Sequence, residues 1–190
     1  MNVIETVLPG ALIIEPKVWG DARGFFFETW HAERYERIGL PTAGPQENLS
    51  MSRRGVLRGL HLQHPHAQGK LCQVFMGEVF DVAVDLRRGS PTFGRWVGVT
   101  LSAENKRQFW VPAGFAHGFL VTGESALFAY KCSDYYHPET EFSVRWDDPA
   151  LGIDWPLADL GVPELSQKDQ AAPLLSEIPA ERLPAIEDYP

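Results

Sequence analysis

The stretch that decides the fold reads Gly55-Val56-Leu57-Arg58-Gly59-Leu60-His61-Leu62-Gln63, and Gly69-Lys70 follows closely. Its apolar residues favour a β-strand, yet Arg58, His61 and Lys70 add a guanidinium, an imidazole and an ammonium. A core strand avoids such groups unless they are paired or used in chemistry. His61 is the candidate general base, because an imidazole accepts a proton near neutral pH. Arg58 suits a phosphate and Lys70 an oxyanion, so the stretch predicts proton abstraction beside a carbonyl of a phosphorylated substrate. The alternative is three solvated charges on the rim of a barrel.

The spacing of Arg58 and His61 adds a geometric condition. In a regular strand these side chains point to opposite faces, because successive residues alternate. Both can reach one pocket only if the strand bulges or bends, which Gly59 permits. We therefore expect an irregularity at Gly59; a regular strand would mean that one of the two residues is misassigned.

Composition bounds the class of protein. The chain has 190 residues, of which 44% are hydrophobic and 22% charged, as expected of one globular domain with a sizeable core. Its net charge of −8 argues against nucleic acid or an anionic membrane as a partner. Neither a signal peptide nor an apolar run of about 18 residues is apparent, so we expect no membrane span and a cytoplasmic location. Cys72 and Cys132 are expected to be reduced core thiols.

Strand patterns dominate the chain. Short apolar segments separated by turns recur from Val56 to Tyr136, which predicts a β-sandwich, jelly roll or barrel. Nearer the N-terminus we expect strands over Leu12–Val18 and Phe25–Thr29. Thr29 is then expected to cap a helix that runs to Ile38.

The residue composition changes after Glu139, where prolines and acidic residues indicate a wrapping, loop-rich tail. Ser166 to Asp169 is a possible helix start, and the last dozen residues are candidates for loose order. We expect a single domain in which residues 1–45 contribute to a dimer, 46–146 form the barrel core and 147–190 form the tail.

A base needs a partner that orients it, and the acid that returns a proton should lie on the other face of the substrate. Asp169 is one candidate partner for His61, although Ser166-x-x-Asp169 also matches a capping box. Tyr130, Tyr135 and Tyr136 are the candidate acids, because a phenol stays protonated at neutral pH. Packing against neighbouring strands is the alternative for each tyrosine.

A metal is not expected. His61, His64 and His66 together with residues 112–117 partly match the metal-binding pattern of cupins. Lys70 and Leu71, however, stand where that pattern needs a glutamate, and an ammonium repels a divalent cation. The chain also lacks a Gly-x-Gly-x-x-Gly fingerprint, so no cofactor is expected.

Most of the chain resembles the dTDP-4-dehydrorhamnose 3,5-epimerase family. The matching blocks are residues 20–28, 55–61, 69–71, 77–85, 112–119, 130–136, 146–156 and 166–170. The resemblance implies an all-β, cupin-type jelly-roll barrel with a few short helices, working as a metal-free homodimer. It implies that the substrate is dTDP-4-dehydro-6-deoxy-D-glucose, whose C4 ketone acidifies the protons at C3 and C5. The alternatives are a single-centre epimerase or ketoisomerase, a non-catalytic sugar-nucleotide-binding cupin, and a metal cupin dioxygenase.

The resemblance also implies residue roles. His61 is the base, Asp169 its partner, Lys70 the group facing the enolate oxygen and Tyr130 the acid. The substrate-binding residues implied are Arg58, His117 and Lys168 for sugar and phosphates, Arg23 and Glu28 reached across the dimer, and Gln46, Asn48, Glu141 and Tyr136 for the nucleotide, with Tyr136 stacking on thymine. Two positions depart from the family: Leu49 replaces a polar residue, and Trp19 replaces a phenylalanine.

Overall fold

Two long strands organise the barrel. The computed structural model describes residues 1–41 and 44–189. Its elements are β1 (Asn2–Glu5), β2 (Leu12–Glu15), β3 (Val18–Asp21), β4 (Gly24–Phe27), α1 (Ala32–Glu36), β5 (Gln46–Arg53), β6 (Leu57–Gln63), β7 (Lys70–Asp85), β8 (Trp96–Ser102), β9 (Gln108–Val111), β10 (Phe115–Cys132), β11 (Glu141–Ser143), α2 (Gln167–Gln170) and two 3₁₀ turns (Leu175–Glu177 and Ala180–Arg182). Strands β7 and β10 pair antiparallel along most of their length. Within the described residues, nine strands join in the order β1-β2-β9-β7-β10-β6-β11, with β5 on β10 and β8 on β7.

This architecture is the all-β, cupin-type jelly roll that the sequence predicts. Strands β7 and β10 form the centre of this sheet, because β7 pairs with β8, β9 and β10, and β10 pairs with β5, β6 and β7. Residues of both strands fill the interior, where Val74 of β7 and Phe115 and Phe128 of β10 form one apolar cluster with Phe109 of β9. Both cysteines are buried and free, as expected.

The tail covers the outside of the barrel. Trp155 and Leu183 are buried in a second apolar cluster against Leu57 and Leu60 of β6. Close to the end of the chain, the Arg88 amide donates to the Pro184 carbonyl at 2.7 Å. The final residues up to 189 are therefore tied to the barrel rather than loosely ordered, and residue 190 lies outside the described part.

The strands and the helix predicted for the first 40 residues are only partly correct. The predicted strand over residues 12–18 is divided by Pro16, which has no amide hydrogen for a sheet. The helix begins at Ala32, and its N-cap His31 makes no side-chain cap bond, so the predicted cap at Thr29 is wrong. The Thr29 carbonyl instead accepts a hydrogen bond from the Gln108 side chain at 2.7 Å, a long-range contact.

The β3–β4 hairpin stands apart as its own two-stranded sheet. Its aromatic residues Trp19, Phe25 and Phe26 are 45%, 62% and 69% exposed. Within the described residues, none of the helices has the length and apolarity to cross a bilayer.

Candidate active site

The strand that carries His61 is kinked at Gly59. Gly59 has a φ of +121°, and its pairing partner strand shifts register between His117 and Phe119. A Cβ on Gly59 would lie 2.6 Å from the Gly118 Cα, so only glycine fits this close approach. The irregularity expected from the spacing is confirmed, and it lets Arg58 and His61 line the same cavity.

Two adjoining cavities open around this kink. The inner cavity holds about 190 Å³ and is lined by Asn48, Leu49, Ser50, Arg58, His61, Lys70, His117, Phe119 and Tyr130. The outer cavity holds about 300 Å³ and is lined by Gln46, Asn48, His61, Gln68, Lys70, Tyr130, Tyr136 and Glu141. His61, Lys70 and Tyr130 line both, so the two cavities meet at the predicted catalytic groups.

His61 is paired with Asp169 of the tail. His61 Nε2 lies 2.6 Å from Asp169 Oδ1, and the Asp169 side chain is 3% exposed. Ser166 Oγ donates to the other carboxylate oxygen at 2.9 Å and accepts from the Asp169 amide, so the residue also belongs to the N-cap of α2. Burial favours the neutral acid, but the bonds from His61 and Ser166 outweigh it and hold the pKa of Asp169 below its usual range. An ionised Asp169 fixes the proton of His61 on Nε2 and leaves Nδ1 as the proton acceptor.

The tail is anchored beside the base strand by backbone bonds. The Glu164 carbonyl accepts from the Leu57 amide at 2.9 Å, and the Glu164 amide donates to Gly55. These bonds set the start of α2 beside β6, which brings Asp169 to His61 across more than 100 residues of sequence.

Among the three candidate acids, Tyr130 lines the inner cavity with His61. Burial raises the pKa of Tyr130 to about 12, with the thiols Cys132 and Cys72 adding to the effect. The phenol is therefore protonated throughout the neutral and moderately alkaline range. Tyr135 is exposed, and Tyr136 lines only the outer cavity.

Two further basic residues, Arg58 and His117, line the inner cavity. Arg58 is oriented by the hydrogen bond from its Nε to Ser52 Oγ, at 3.1 Å. His117 is buried, with Nε2 at 2.7 Å from Asp81 Oδ1 and at 3.5 Å from Cys72 Sγ. Burial raises the pKa of Asp81 in spite of the nearby His117.

These contacts also bear on metal binding. Within residues 1–41 and 44–189, Cys72, Asp81 and His117 are the one group whose potential ligand atoms lie within 4.8 Å of each other. Burial raises the pKa of the Cys72 thiol well above its usual value, which disfavours the thiolate that a metal needs. His64 and His66, the other histidines of the partial cupin pattern, line neither the inner nor the outer cavity.

The predicted nucleotide residues of the barrel converge on the outer cavity. The Tyr136 amide donates to Gln46 Oε1 and its hydroxyl donates to Glu141, both at 2.9 Å. Glu141 also accepts from Lys168 Nζ. Burial acts to raise the pKa of Glu141, but the bonds from Lys168 and Tyr136 dominate and lower it. Gln46 in turn donates to Asn48 at 3.1 Å.

Arg23 and Glu28 are not brought to this site within one protomer. Arg23 sits at the turn of the β3–β4 hairpin, where it pairs with Asp21 at 2.6 Å, and Glu28 pairs with Arg34 at 2.8 Å. Neither residue lines the inner or the outer cavity.

Sequence reasoning missed the serines of β5. Ser50 lines the inner cavity, and its buried Oγ has no hydrogen-bond partner in the described part of the chain. Ser52 holds Arg58. The available signal was the alternation of polar residues at 46, 48, 50 and 52, which places all four on one face of a strand.

Comparisons with known proteins identify the family of this chain. The family model described as dTDP-4-dehydrorhamnose 3,5-epimerase matches residues 5–177. A protein of that name from Salmonella typhimurium is 57% identical over 179 residues, covering 93% of this chain and 97% of the relative. One from Pseudomonas aeruginosa is also 57% identical, over 90% of this chain and 93% of the relative. The crystal structure of a dTDP-6-deoxy-D-glucose-3,5-epimerase from Legionella pneumophila, in complex with dTDP-4-keto-L-rhamnose, has a TM-score of 0.93 and 59% identity, with 97% of each chain covered. By its sequence and its fold, this chain belongs to the dTDP-4-dehydrorhamnose 3,5-epimerase family.

Proposed function

We propose that this isomerase converts dTDP-4-dehydro-6-deoxy-D-glucose to dTDP-4-dehydro-L-rhamnose, with His61 as base, Lys70 as oxyanion partner and Tyr130 as acid. The observation that carries this assignment is the convergence of the His61–Asp169 pair, Lys70 and Tyr130 on one cavity. An epimerase needs such an arrangement, because one group removes a proton and another delivers one to the far face of the carbon.

Each inversion then has two proton transfers. His61 Nδ1 takes the proton from the carbon beside the C4 ketone, and the electron pair of the broken C–H bond moves into an enolate. Asp169 stabilises the imidazolium that forms, while the Lys70 ammonium stabilises the negative oxygen at C4. Tyr130 gives its phenolic proton to the opposite face of the carbon. Exchange with solvent restores the phenol and the neutral imidazole, and the same cycle at the second carbon completes the reaction.

Binding groups extend from the catalytic centre in the order that the substrate requires. Arg58 and His117 line the inner cavity, where they suit the sugar and the phosphates. Gln46, Asn48, Glu141, Lys168 and Tyr136 form the hydrogen-bonded group around the outer cavity, where we place the thymidine with its base stacked on Tyr136.

A homodimer is part of the proposal. The exposed aromatic rings of the β3–β4 hairpin form an apolar surface that a monomer rarely leaves in water. Arg23 lies on the same hairpin. When a second protomer covers these rings, Arg23 of the first protomer therefore reaches the nucleotide bound by the second. We propose that residues 1–45 contribute in this way to the dimer. The cytoplasmic location stays a prediction.

The reaction is tested by NMR of the purified protein and the 4-keto sugar nucleotide in D₂O, without added metal. We expect deuterium at both C3 and C5 together with the inverted product. Exchange confined to one carbon would instead identify a single-centre epimerase. Chelator-sensitive turnover restored by Fe²⁺ would favour a metal cupin.

Two histidine variants separate catalysis from binding. His61→Ala is expected to abolish turnover while dTDP still binds, because the outer cavity keeps its other groups. His66→Ala is the matched control, since its exposed side chain lines neither cavity. Unchanged turnover in His61→Ala would contradict the role of His61 as the base and favour the hypothesis of a non-catalytic sugar-nucleotide-binding cupin.

A further inference from the structure

Gln63 lies two residues beyond His61 on β6, and its buried carboxamide reaches a neighbouring chain segment instead of the cavity. Its Nε2 donates to the Tyr135 carbonyl at 2.9 Å and also to the His66 carbonyl. Its Oε1 accepts from the His137 amide at 3.1 Å. One planar side chain therefore holds the backbone on both sides of Tyr136.

Other contacts complete the hold on Tyr136. Its amide donates to Gln46 and its hydroxyl to Glu141. Glu141 is itself the residue that pairs with Gln63 across β11 and β6. The position of the Tyr136 ring is thus linked to Gln63 of β6, which lies two residues from the base His61.

We infer that Gln63 is a positioning residue that fixes the nucleobase platform, Tyr136, at a set distance from the base His61. This inference rests on the proposed function, in which Tyr136 stacks on thymine. Because β6 carries both His61 and Gln63, a shift of the platform relative to the base is prevented by the strand itself.

The chemistry of the side chain explains why glutamine stands here. The segment around Tyr136 presents the Tyr135 carbonyl and the His137 amide, and the loop after β6 presents the His66 carbonyl, so the partner must donate twice and accept once. A carboxylate supplies only the acceptor, and an aliphatic side chain supplies neither. Since Gln63 is 4% exposed, water does not readily replace the lost partner.

The test compares Gln63→Leu and Gln63→Glu with the wild-type protein in steady-state turnover and in dTDP titration calorimetry. For Gln63→Leu we expect KM and the dTDP Kd to rise about 10- to 100-fold, with kcat changed by less than about threefold. Gln63→Glu keeps the acceptor for His137 but sets a buried carboxylate oxygen against the Tyr135 and His66 carbonyls, so its KM is expected to rise at least as far as that of Gln63→Leu. The thermal midpoint of both variants is measured alongside, and whichever variant folds provides the measurement.

Gln73→Leu is the matched control. Gln73 is equally buried and accepts a hydrogen bond from Gln108 at 3.0 Å, but it lies away from both cavities. Its loss is expected to lower the thermal midpoint and to leave KM within about twofold of wild type.

A double variant separates positioning from general stability. If Gln63 acts through Tyr136, then Gln63→Leu added to Tyr136→Ala raises KM by less than about threefold, because the platform is already gone. Full multiplicative effects, or a loss of kcat at unchanged KM in Gln63→Leu, would overturn the inference. A wild-type protein that binds no dTDP would refute the proposed nucleotide site, whereas wild-type binding matched by Gln63→Leu would refute only the role of Gln63.

Discussion

Replacing Asp169 by asparagine changes one oxygen of the catalytic pair and leaves its shape. In the native site Oδ1 faces His61 Nε2 at 2.6 Å, and Oδ2 accepts from Ser166 Oγ at 2.9 Å. If the amide oxygen keeps the Ser166 bond, the amide nitrogen faces Nε2 and donates to it. The proton of His61 then sits on Nδ1, the nitrogen that has to accept the substrate proton.

The expected loss of turnover in Asp169→Asn follows from the missing charge of Asp169 as well as from the changed tautomer of His61. Even if the asparagine turns its oxygen to His61, the imidazolium formed during catalysis no longer faces an anion. Two unit charges about 4 Å apart interact by about 4 kcal/mol at an effective dielectric constant near 20. At about 1.4 kcal/mol for each tenfold change, this corresponds to a fall in kcat of about 10³-fold.

The assay is saturating turnover followed by NMR, with dTDP affinity and urea unfolding measured on the same preparations. We expect Asp169→Asn to retain dTDP binding, because the carboxylate lines neither cavity directly. Asp147→Asn, an exposed tail carboxylate paired with Arg145, is the matched control and should turn over like wild type. A loss in kcat of less than about tenfold with a folded Asp169→Asn protein would refute the reasoning, because neither tautomer nor charge would then matter.

Three further outcomes are expected. Tyr130→Phe should still exchange substrate protons with D₂O but form little inverted product, because the base can return deuterium only to the face from which it took the proton; efficient inversion would remove Tyr130 from the acid role. Gly59→Ala should unfold at a urea concentration well below that of Gly24→Ala, since both glycines have positive φ but only the Gly59 Cβ meets backbone, at 2.6 Å; equal midpoints would contradict this. Burial favours the neutral form of Asp85, but its bonds to Arg87 and to neighbouring hydroxyls dominate and lower its pKa. Its charged form therefore stabilises the fold above pH about 3.8, and this contribution is lost as the pH falls through the lowered pKa. Asp85→Asn should therefore cost about 3–5 kcal/mol in urea unfolding at pH 7 and clearly less near pH 3, and a pH-independent difference would count against it.

The sequence carried much of the candidate site because its chemistry is unusual for strands. His61, Lys70 and Arg58 stood out as basic side chains in an apolar stretch. The odd spacing of Arg58 and His61 required the kink that the structure places at Gly59. The choice of Tyr130 among three tyrosines came from the family resemblance, since alternation alone does not say which strand faces a cavity.

Features set by distant contacts were harder to predict. The Thr29 cap was wrong because the helix begins only at Ala32, with His31 as its N-cap, and the Thr29 carbonyl is held by the distant Gln108 side chain. The role of Gln63 depends on residues 135 and 137, which no local pattern connects to it. The two readings of Asp169 were set against each other as alternatives, yet its two oxygens have different partners and its amide completes the cap.

The position of Asp169 after the last strand of the barrel has a consequence for biosynthesis. A ribosome finishes the whole barrel, with its base and its acid, before it releases the residue that aligns the imidazole. A partly made chain is therefore expected to be catalytically silent even when its strands are folded. In the complete protein, transient undocking of the segment that carries α2 would stop turnover while leaving the barrel folded.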